Sequence, residues 1–218
     1  KQKQFITDAG HELKTPITVI ATSLKVLEME SGENKWIDKS LAQTEKLRDL
    51  VNSLVSLSRM DEEQSPLKMC DFSLSDAVSE TVGSFADFAA VNGHMLTAEI
   101  APEILYHGDE YAIRQMVSIL LDNAVKYASD GSPIRLTLEK GKKGPVLRTV
   151  NCCEGLTQQE ADKLFDRFYR VDQSRTTGGF GIGLSMARSI AEGHKGSIKA
   201  TCCEENKIEF TVSLGKCV

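Results

Sequence analysis

Phe5-Ile6-Thr7-Asp8-Ala9-Gly10-His11-Glu12-Leu13-Lys14-Thr15-Pro16-Ile17-Thr18 opens an apolar series, Phe5, Ala9, Leu13, Ile17, Ile20, Leu24 and Leu27, spaced by three and four residues. That spacing is one face of an α-helix. His11 lies about 200° round the helix from both Ala9 and Leu13, so it is turned off the stripe toward solvent. An ordinary imidazole titrates near pH ~6.5 and is a competent nucleophile when neutral. Glu12, its immediate neighbour, is placed to take a ring proton as general base or to fix the tautomer. Pro16 removes a backbone donor in mid-helix, and Gly10 weakens the same turn by roughly 1 kcal/mol relative to alanine. An exposed helical histidine is by itself most often plain surface, so its role rests on the rest of the chain.

Ser31-Gly32-Glu33-Asn34 breaks the pattern, and a second stripe follows at Ile37, Leu41, Leu47, Leu50, Leu54 and Leu57. Two helices joined by a short loop make an antiparallel hairpin. A single hairpin of about 60 residues is near the lower limit for an independent core and cannot bury both stripes. Dimerisation into a four-helix bundle solves that problem. The polar run Asp61-Glu62-Glu63-Gln64-Ser65-Pro66 then reads as a linker, which divides the chain into residues 1–62 and 67–218.

Beyond the linker, strand-like and helix-like segments alternate. Strands are expected at Leu67 to Phe72, His94 to Ile100, Ile134 to Glu139, Val146 to Val150, Ser197 to Cys202 and Lys207 to Leu214. Helices are expected at Ser73 to Ala90, Glu110 to Ala128, Gln158 to Phe168 and Gly183 to Glu192. The turn Gly141-Lys142-Lys143-Gly144 pairs two of the strands. The fold class is therefore α+β: a helical hairpin followed by an α/β two-layer sandwich. No internal repeat or low-complexity segment interrupts it.

Composition narrows the function. The 218 residues carry 26 Lys+Arg against 31 Asp+Glu, a formal charge of −5, with no basic block to act as a nucleic-acid footprint. No apolar run approaches the roughly 18 residues of a membrane span. Lys1-Gln2-Lys3-Gln4 leads into an amphipathic segment, which is not a signal peptide, and the lack of an initiating Met suggests a fragment whose first helix continues upstream. Of six cysteines, four form the adjacent pairs Cys152-Cys153 and Cys202-Cys203. Adjacent strand residues point to opposite faces, so the pairs suit small hydrophobes at strand ends in a reducing compartment better than zinc ligands.

Two segments of the second domain carry chemistry. Asp122-Asn123-Ala124-Val125-Lys126-Tyr127 places Asn123 and Lys126 on neighbouring helix positions, so a carboxamide and an ammonium converge. That pair suits a metal-bound triphosphate, with an oxygen ligand for Mg2+ and a cation for phosphate oxygens. Gly178-Gly179-Phe180-Gly181-Ile182-Gly183-Leu184 precedes a helix, where glycines let backbone N–H groups approach phosphates and the helix N-terminus favours anions. No strand precedes these glycines, so a Rossmann reading fails.

His11-Glu12-Leu13-Lys14-Thr15-Pro16 resembles the phospho-acceptor motif of two-component sensor histidine kinases. Hairpin, linker and α/β domain follow in that family's order over nearly the whole chain. The resemblance implies an ATPase domain of the histidine-kinase/gyrase type and assigns roles by position. His11 would accept the γ-phosphoryl group of ATP, Glu12 help deprotonate it, and Thr15 orient water for dephosphorylating the partner. Asn123 would bind Mg2+ and Lys126 phosphate, with Tyr127 closing the same motif. Gly179, Gly181, Gly183 and Leu184 match the second glycine box and follow Leu164 to Arg170, which match the phenylalanine box. Residues 170–180 would then be the ATP lid, with Arg175 a cation for the phosphates.

Two departures stand out. Ile119 occupies a position where the family often has a further Asn. The first glycine box, Asp-x-Gly-x-Gly in the family, is here Asn151-Cys152-Cys153-Glu154-Gly155. Asn151 keeps an acceptor oxygen for the adenine amino group without the charge, only Gly155 survives of the glycines, and Cys153 does not readily adopt positive φ. Weak ATP binding is the expectation. The resemblance further implies a homodimer, ATP and Mg2+ as cofactors and a response-regulator receiver domain as partner. It also implies a cytoplasmic location for this portion and a full-length protein anchored in the membrane through an N-terminal part. The alternative is a kinase-deficient dimeric scaffold or response-regulator phosphatase with a degenerate nucleotide pocket.

Overall fold

Residues 2–60 form two helices, α1 (Gln2–Ser31) and α2 (Lys35–Met60). The structure is a computed structural model that describes residues 2–32, 34–60, 67–171, 181–203 and 206–216; the side chains of 2–12, 15, 31, 46, 49, 50 and 52–60 lie outside that description. The chain divides into two units, residues 1–65 with 178–182, and residues 66–177 with 183–218.

In the hairpin, α1 continues through Pro16, which has no N–H to offer the carbonyl of Glu12. Just beyond it, Thr18 Oγ1 donates to Lys14 O and Thr22 Oγ1 to Thr18 O, both at 2.9 Å. The apolar stripe read from the sequence splits in two. Ile17 of α1 and Val51 of α2 are buried, whereas Leu13, Ile20 and Leu27 stay half-exposed. One hairpin thus covers part of its own apolar surface and leaves a second stripe open.

The second unit runs β1 (Cys70–Ser73), α3 (Leu74–Val91), β2 (Leu96–Ile100), β3 (Leu105–Gly108), α4 (Glu110–Tyr127), β4 (Ile134–Gly141), β5 (Gly144–Cys152), α5 (Gln158–Lys163), α6 (Gly183–Gly193), β6 (Ser197–Cys203) and β7 (Lys207–Ser213). The main sheet has the order β2-β4-β5-β7-β6; β2 is parallel to β4 and the other neighbours are antiparallel. Strands β1 and β3 form a separate antiparallel pair. Alternation sets the inner face of the sheet: Ile134, Leu136 and Leu138 of β4, Leu147, Thr149 and Asn151 of β5, and Ile208, Phe210 and Val212 of β7 are all buried. Helix α4 contributes Ile113, Met116, Val117, Leu120, Leu121 and Ala124 at helical spacing, each 0% exposed.

Several boundaries differ from the sequence expectation. The strand expected from Leu67 begins at Cys70, and the one expected from His94 begins at Leu96. Strand β3 adds to the expected strands; Leu105-Tyr106-His107-Gly108 is short and only Tyr106 and Gly108 are buried, too little alternation to mark it in the sequence. The helix expected to reach Phe168 stops at Lys163: Leu164 N–H turns back to Ala161 O, and Phe168 has φ +65, a left-handed conformation that no helix continues through. Among the described residues no helix is long and apolar enough to cross a membrane.

Candidate functional site

Helices α4 and α6 pack against each other in opposite directions. Gln115 Nε2 donates to Met186 Sδ at 3.2 Å, and one turn further along α4 a Cβ at Gly183 would meet Ile119 Cγ2 at 3.4 Å. Four residues forward on α4 therefore correspond to three backward on α6. The next turn of α4, which carries Asn123, lies just beyond the start of α6. The first N–H groups and positive dipole end of that helix face the same end of the domain. Ile119, standing where the family often has a second asparagine, thus closes against the first residue of α6 with an apolar side chain.

The last turn of α4 is tied to β5 by the N–H of Ser129, which donates to Cys152 O at 2.9 Å. This brings Asn123 and Tyr127, both half-buried, to the end of the sheet where Asn151 stands. Lys126 is exposed, and its Nζ donates to Asp122 Oδ2 at 2.7 Å, one turn back on the same helix. Such a surface pair is worth about 0–1 kcal/mol.

Asn151 is 2% exposed and faces inward. Its Nδ2 donates to Cys152 O at 3.1 Å, the same carbonyl that Ser129 N–H serves, while its Oδ1 is buried with no partner. The amide is therefore oriented oxygen-first, because turning it round would set one carbonyl oxygen against another. Two residues earlier on the same face, Thr149 is 0% exposed and its Oγ1 also lacks a partner. Native interiors leave few such groups unsatisfied, so the two at this strand end have hydrogen-bonding capacity that a polar ligand can take up.

The loop after β5 is anchored from several sides. Cys153 N–H donates to Asn206 O at 2.6 Å, so the residue standing where the family has glycine extends the β5–β7 pairing by one bond. Gly155 has φ +73, and nothing lies within 4 Å of the point a Cβ would occupy, so it is a left-handed residue in open space. Thr157 and Glu160 form a capping box at the start of α5, and the two hydrogen bonds from Thr157 hold the Glu160 carboxyl below its ordinary pKa. Gln158 then uses both ends of its amide on β6: its Nε2 donates to Ala200 O at 3.0 Å and its Oε1 accepts from Cys202 N–H at 2.9 Å. A side chain thus completes the open edge of the sheet.

Burial pushes the Cys153 thiol up, with Cys202 nearby adding to it; burial likewise raises Cys202, followed by Cys203, Asp162 and Glu160. Both are therefore poor thiolate nucleophiles. Among the described residues, no group of three or more His, Cys, Asp or Glu side chains is arranged to hold a metal ion.

The remaining sequence-derived residues distribute as follows. Gly181 has φ +69 and Leu184 is buried at 8% exposed. His11, Glu12 and Thr15 lie on α1 with their side chains outside the described residues, and Arg175 and Gly179 fall outside them altogether. Sequence reasoning missed Thr149 and Gln158. The alternation that turns Asn151 inward also turns Thr149 inward, so that signal was present; nothing in the sequence marks Gln158. It also missed His194, which is 2% exposed and locks α6 to α4: its Nδ1–H donates to Ile190 O at 2.8 Å and its Nε2 accepts from Asp109 N–H at 2.9 Å.

Residues 108–216 match the family described as "Histidine kinase-, DNA gyrase B-, and HSP90-like ATPase", and residues 1–63 match "His Kinase A (phospho-acceptor) domain". The chain is 34% identical over 215 residues to the sensor protein DltS of Streptococcus agalactiae, covering 98% of this chain and 54% of that protein. It is 28% identical over 219 residues to the signal transduction histidine-protein kinase BaeS of Escherichia coli, covering 98% of this chain and 46% of that one. The chain thus spans about half the length of these curated relatives. Among solved structures, full-length ShkA in complex with AMPPNP superposes with a TM-score of 0.81 at 16% identity, covering 99% of this chain and 47% of that one. The Acinetobacter baumannii histidine kinase AdeS gives 0.68 at 23% identity, covering 94% and 97%.

Proposed function

Because the chain belongs to the family of histidine kinase-, DNA gyrase B- and HSP90-like ATPases and carries a His Kinase A phospho-acceptor domain ahead of that match, we propose that it phosphorylates His11 from ATP and passes the phosphoryl group to an aspartate of a response regulator. The observation that carries this reading is the pairing, in one chain, of a phospho-acceptor domain holding His11 with an ATP-binding domain. A ring nitrogen of His11 attacks the γ-phosphorus, the bond to the β–γ bridging oxygen breaks, and ADP leaves with the electron pair. Glu12 takes the ring proton. The resulting phosphoramidate is then attacked by the regulator's carboxylate, and Thr15 orients the water that later dephosphorylates that partner.

On the ATP side, Asn151 Oδ1 accepts from the adenine amino group, and its buried, unpartnered state supports that role. Gly155 leaves the backbone open beside the base. Gly179, Gly181 and Gly183, with the N–H groups at the start of α6 and the backbone of Leu184, receive the phosphates. Lys126 and Arg175 add positive charge, and Tyr127 lines the end of α4. The Asn123 carboxamide oxygen is a hard ligand of the kind Mg2+ prefers, and the ion supplies neutralisation of the triphosphate charge when bound.

We assign residues 1–62 to dimerisation and phospho-acceptance and residues 67–218 to nucleotide binding. The half-exposed stripe at Leu13, Ile20 and Leu27 supports a homodimeric four-helix bundle. The full-length protein would hold this portion at the inner face of the cell membrane. Incubation with γ-labelled ATP and Mg2+ tests the function. Acid-labile, base-stable label is expected in the wild type and none in His11→Gln. Label persisting in His11→Gln would overturn the acceptor assignment.

A further inference from the structure

We propose that the base pocket accepts 6-oxopurine nucleoside triphosphates alongside ATP, because both polar groups it presents can serve as donor or acceptor. This rests on the reading that Asn151 faces the base. A carboxylate at that position is acceptor-only: it takes the 6-amino group of adenine and rejects the 6-oxo group of guanine or hypoxanthine. Asn151 is not so restricted. Its Oδ1 points forward because Nδ2 is held by Cys152 O. That same carbonyl also accepts from Ser129 N–H at 2.9 Å, so it keeps a donor if the amide turns round. The turned amide would present Nδ2 to a 6-oxo group. The turn forfeits one neutral hydrogen bond and sets Oδ1 against Cys152 O, where Nδ2 now lies at 3.1 Å, together on the order of a hundredfold in affinity.

Thr149 matches this ambiguity. It lies on the inner face of β5 two residues before Asn151, roughly 6–7 Å along the strand, fully buried with its hydroxyl unpartnered. A hydroxyl is a rotor. It donates to N1 of adenine in one setting and accepts from N1–H of a 6-oxopurine in the other, directly or through one water. Both purine edges thus find complementary partners on the same two side chains. The difference from an acceptor-only carboxylate is one of specificity rather than of affinity for one ligand.

The test is calorimetric titration of residues 1–218 with the Mg2+ complexes of ATP, ITP and GTP at pH 8, in the wild type, Asn151→Asp, Asn151→Leu and Thr149→Val. ITP shares the 6-oxo edge with GTP but lacks the 2-amino group, so it reads the edge without a steric contribution. Wild-type affinity for ITP is expected within about a hundredfold of that for ATP, with the gap widening at least tenfold further in Asn151→Asp. Comparing nucleotides within one variant cancels any change in the stability of the free protein. Thr149→Val is expected to weaken ATP and ITP alike by several-fold while melting no lower than the wild type without nucleotide, since it removes an unsatisfied buried hydroxyl.

If Asn151→Asp changes ATP affinity but leaves the ATP-to-ITP ratio unchanged, the relaxed specificity is wrong and the pocket assignment survives. If neither Asn151→Asp nor Asn151→Leu alters binding of any nucleotide, or none binds, the assignment of the pocket fails and this inference with it. Unchanged binding in Thr149→Val removes Thr149 from the site.

Discussion

Asn151→Asp changes one NH2 group to oxygen in a place that is 2% exposed, and its consequences for stability follow from the hydrogen bonds there. As a protonated acid, Asp at 151 donates its O–H to Cys152 O and reproduces the bond that Nδ2 makes at 3.1 Å. As a carboxylate, it sets an oxygen against that carbonyl and buries a charge with no donor, since Oδ1 has no partner. The folded state therefore favours the proton, and the folded pKa lies above the unfolded one. With more protons bound when folded than when unfolded, stability falls as pH rises, at up to about 1.4 kcal/mol per pH unit. Keeping the proton sets the ceiling: relative to an unfolded pKa near ~3.9, the penalty is at most about 1.5 kcal/mol at pH 5 and about 4 kcal/mol at pH 7. Urea unfolding of variant and wild type from pH 4.5 to 8 should show near-equal stability at the acid end and a widening deficit above it. Saturating Mg-ATP should narrow the deficit, because the adenine amino group supplies the missing donor and ATP binds the carboxylate several-fold more tightly. Parallel pH profiles for the two proteins would refute the reasoning, since they would mean that position 151 has no buried, donor-poor oxygen.

Four further outcomes are expected. His194→Leu leaves the N–H of Asp109, the N-cap of α4, without its acceptor and should cost about 1–3 kcal/mol in chemical unfolding, with Ile190 O still served by a backbone donor. Gln158→Leu frees Ala200 O and Cys202 N–H on the edge of β6; light scattering should show concentration-dependent association, and titration a weaker ATP affinity as the loop 153–157 loosens. The Glu160 carboxyl titrates below its ordinary value in the folded state, so the capping box stabilises fully above the ordinary carboxyl pKa and is lost as pH falls through the lowered one. The stability gap between wild type and Glu160→Gln should therefore be largest near neutrality and close in acid. Thr15→Ala should spare labelling of His11 from ATP while slowing loss of phosphate from the regulator, measured by label decay on the isolated partner; equal loss of both would point to a structural hydroxyl.

Much of this protein is written in local patterns. Helices α1 to α4 follow from apolar residues at intervals of three and four, and β4, β5 and β7 from strict alternation, because a side chain's direction depends only on the 3.6 or 2-residue repeat of its own element. The same alternation places Asn151 inward before any tertiary contact is known, and the glycine spacing from 179 to 183 with Asn123 and Lys126 on one helix points to a triphosphate. Tertiary structure decided the rest. The parallel pairing of β2 with β4 and the separate β1–β3 pair join segments far apart in the chain, where no local period reports a partner. Gln158 acquires a role only because β6 needs its edge completed 42 residues away. His194 does so because α4 begins where its ring ends. Which way the Asn151 amide points is set by the next residue of its own strand, whose carbonyl a tertiary contact holds in place. A carboxamide carries a donor and an acceptor of nearly equal shape, so its orientation is set by neighbours, here the carbonyl of Cys152 that Ser129 holds in place at the end of α4.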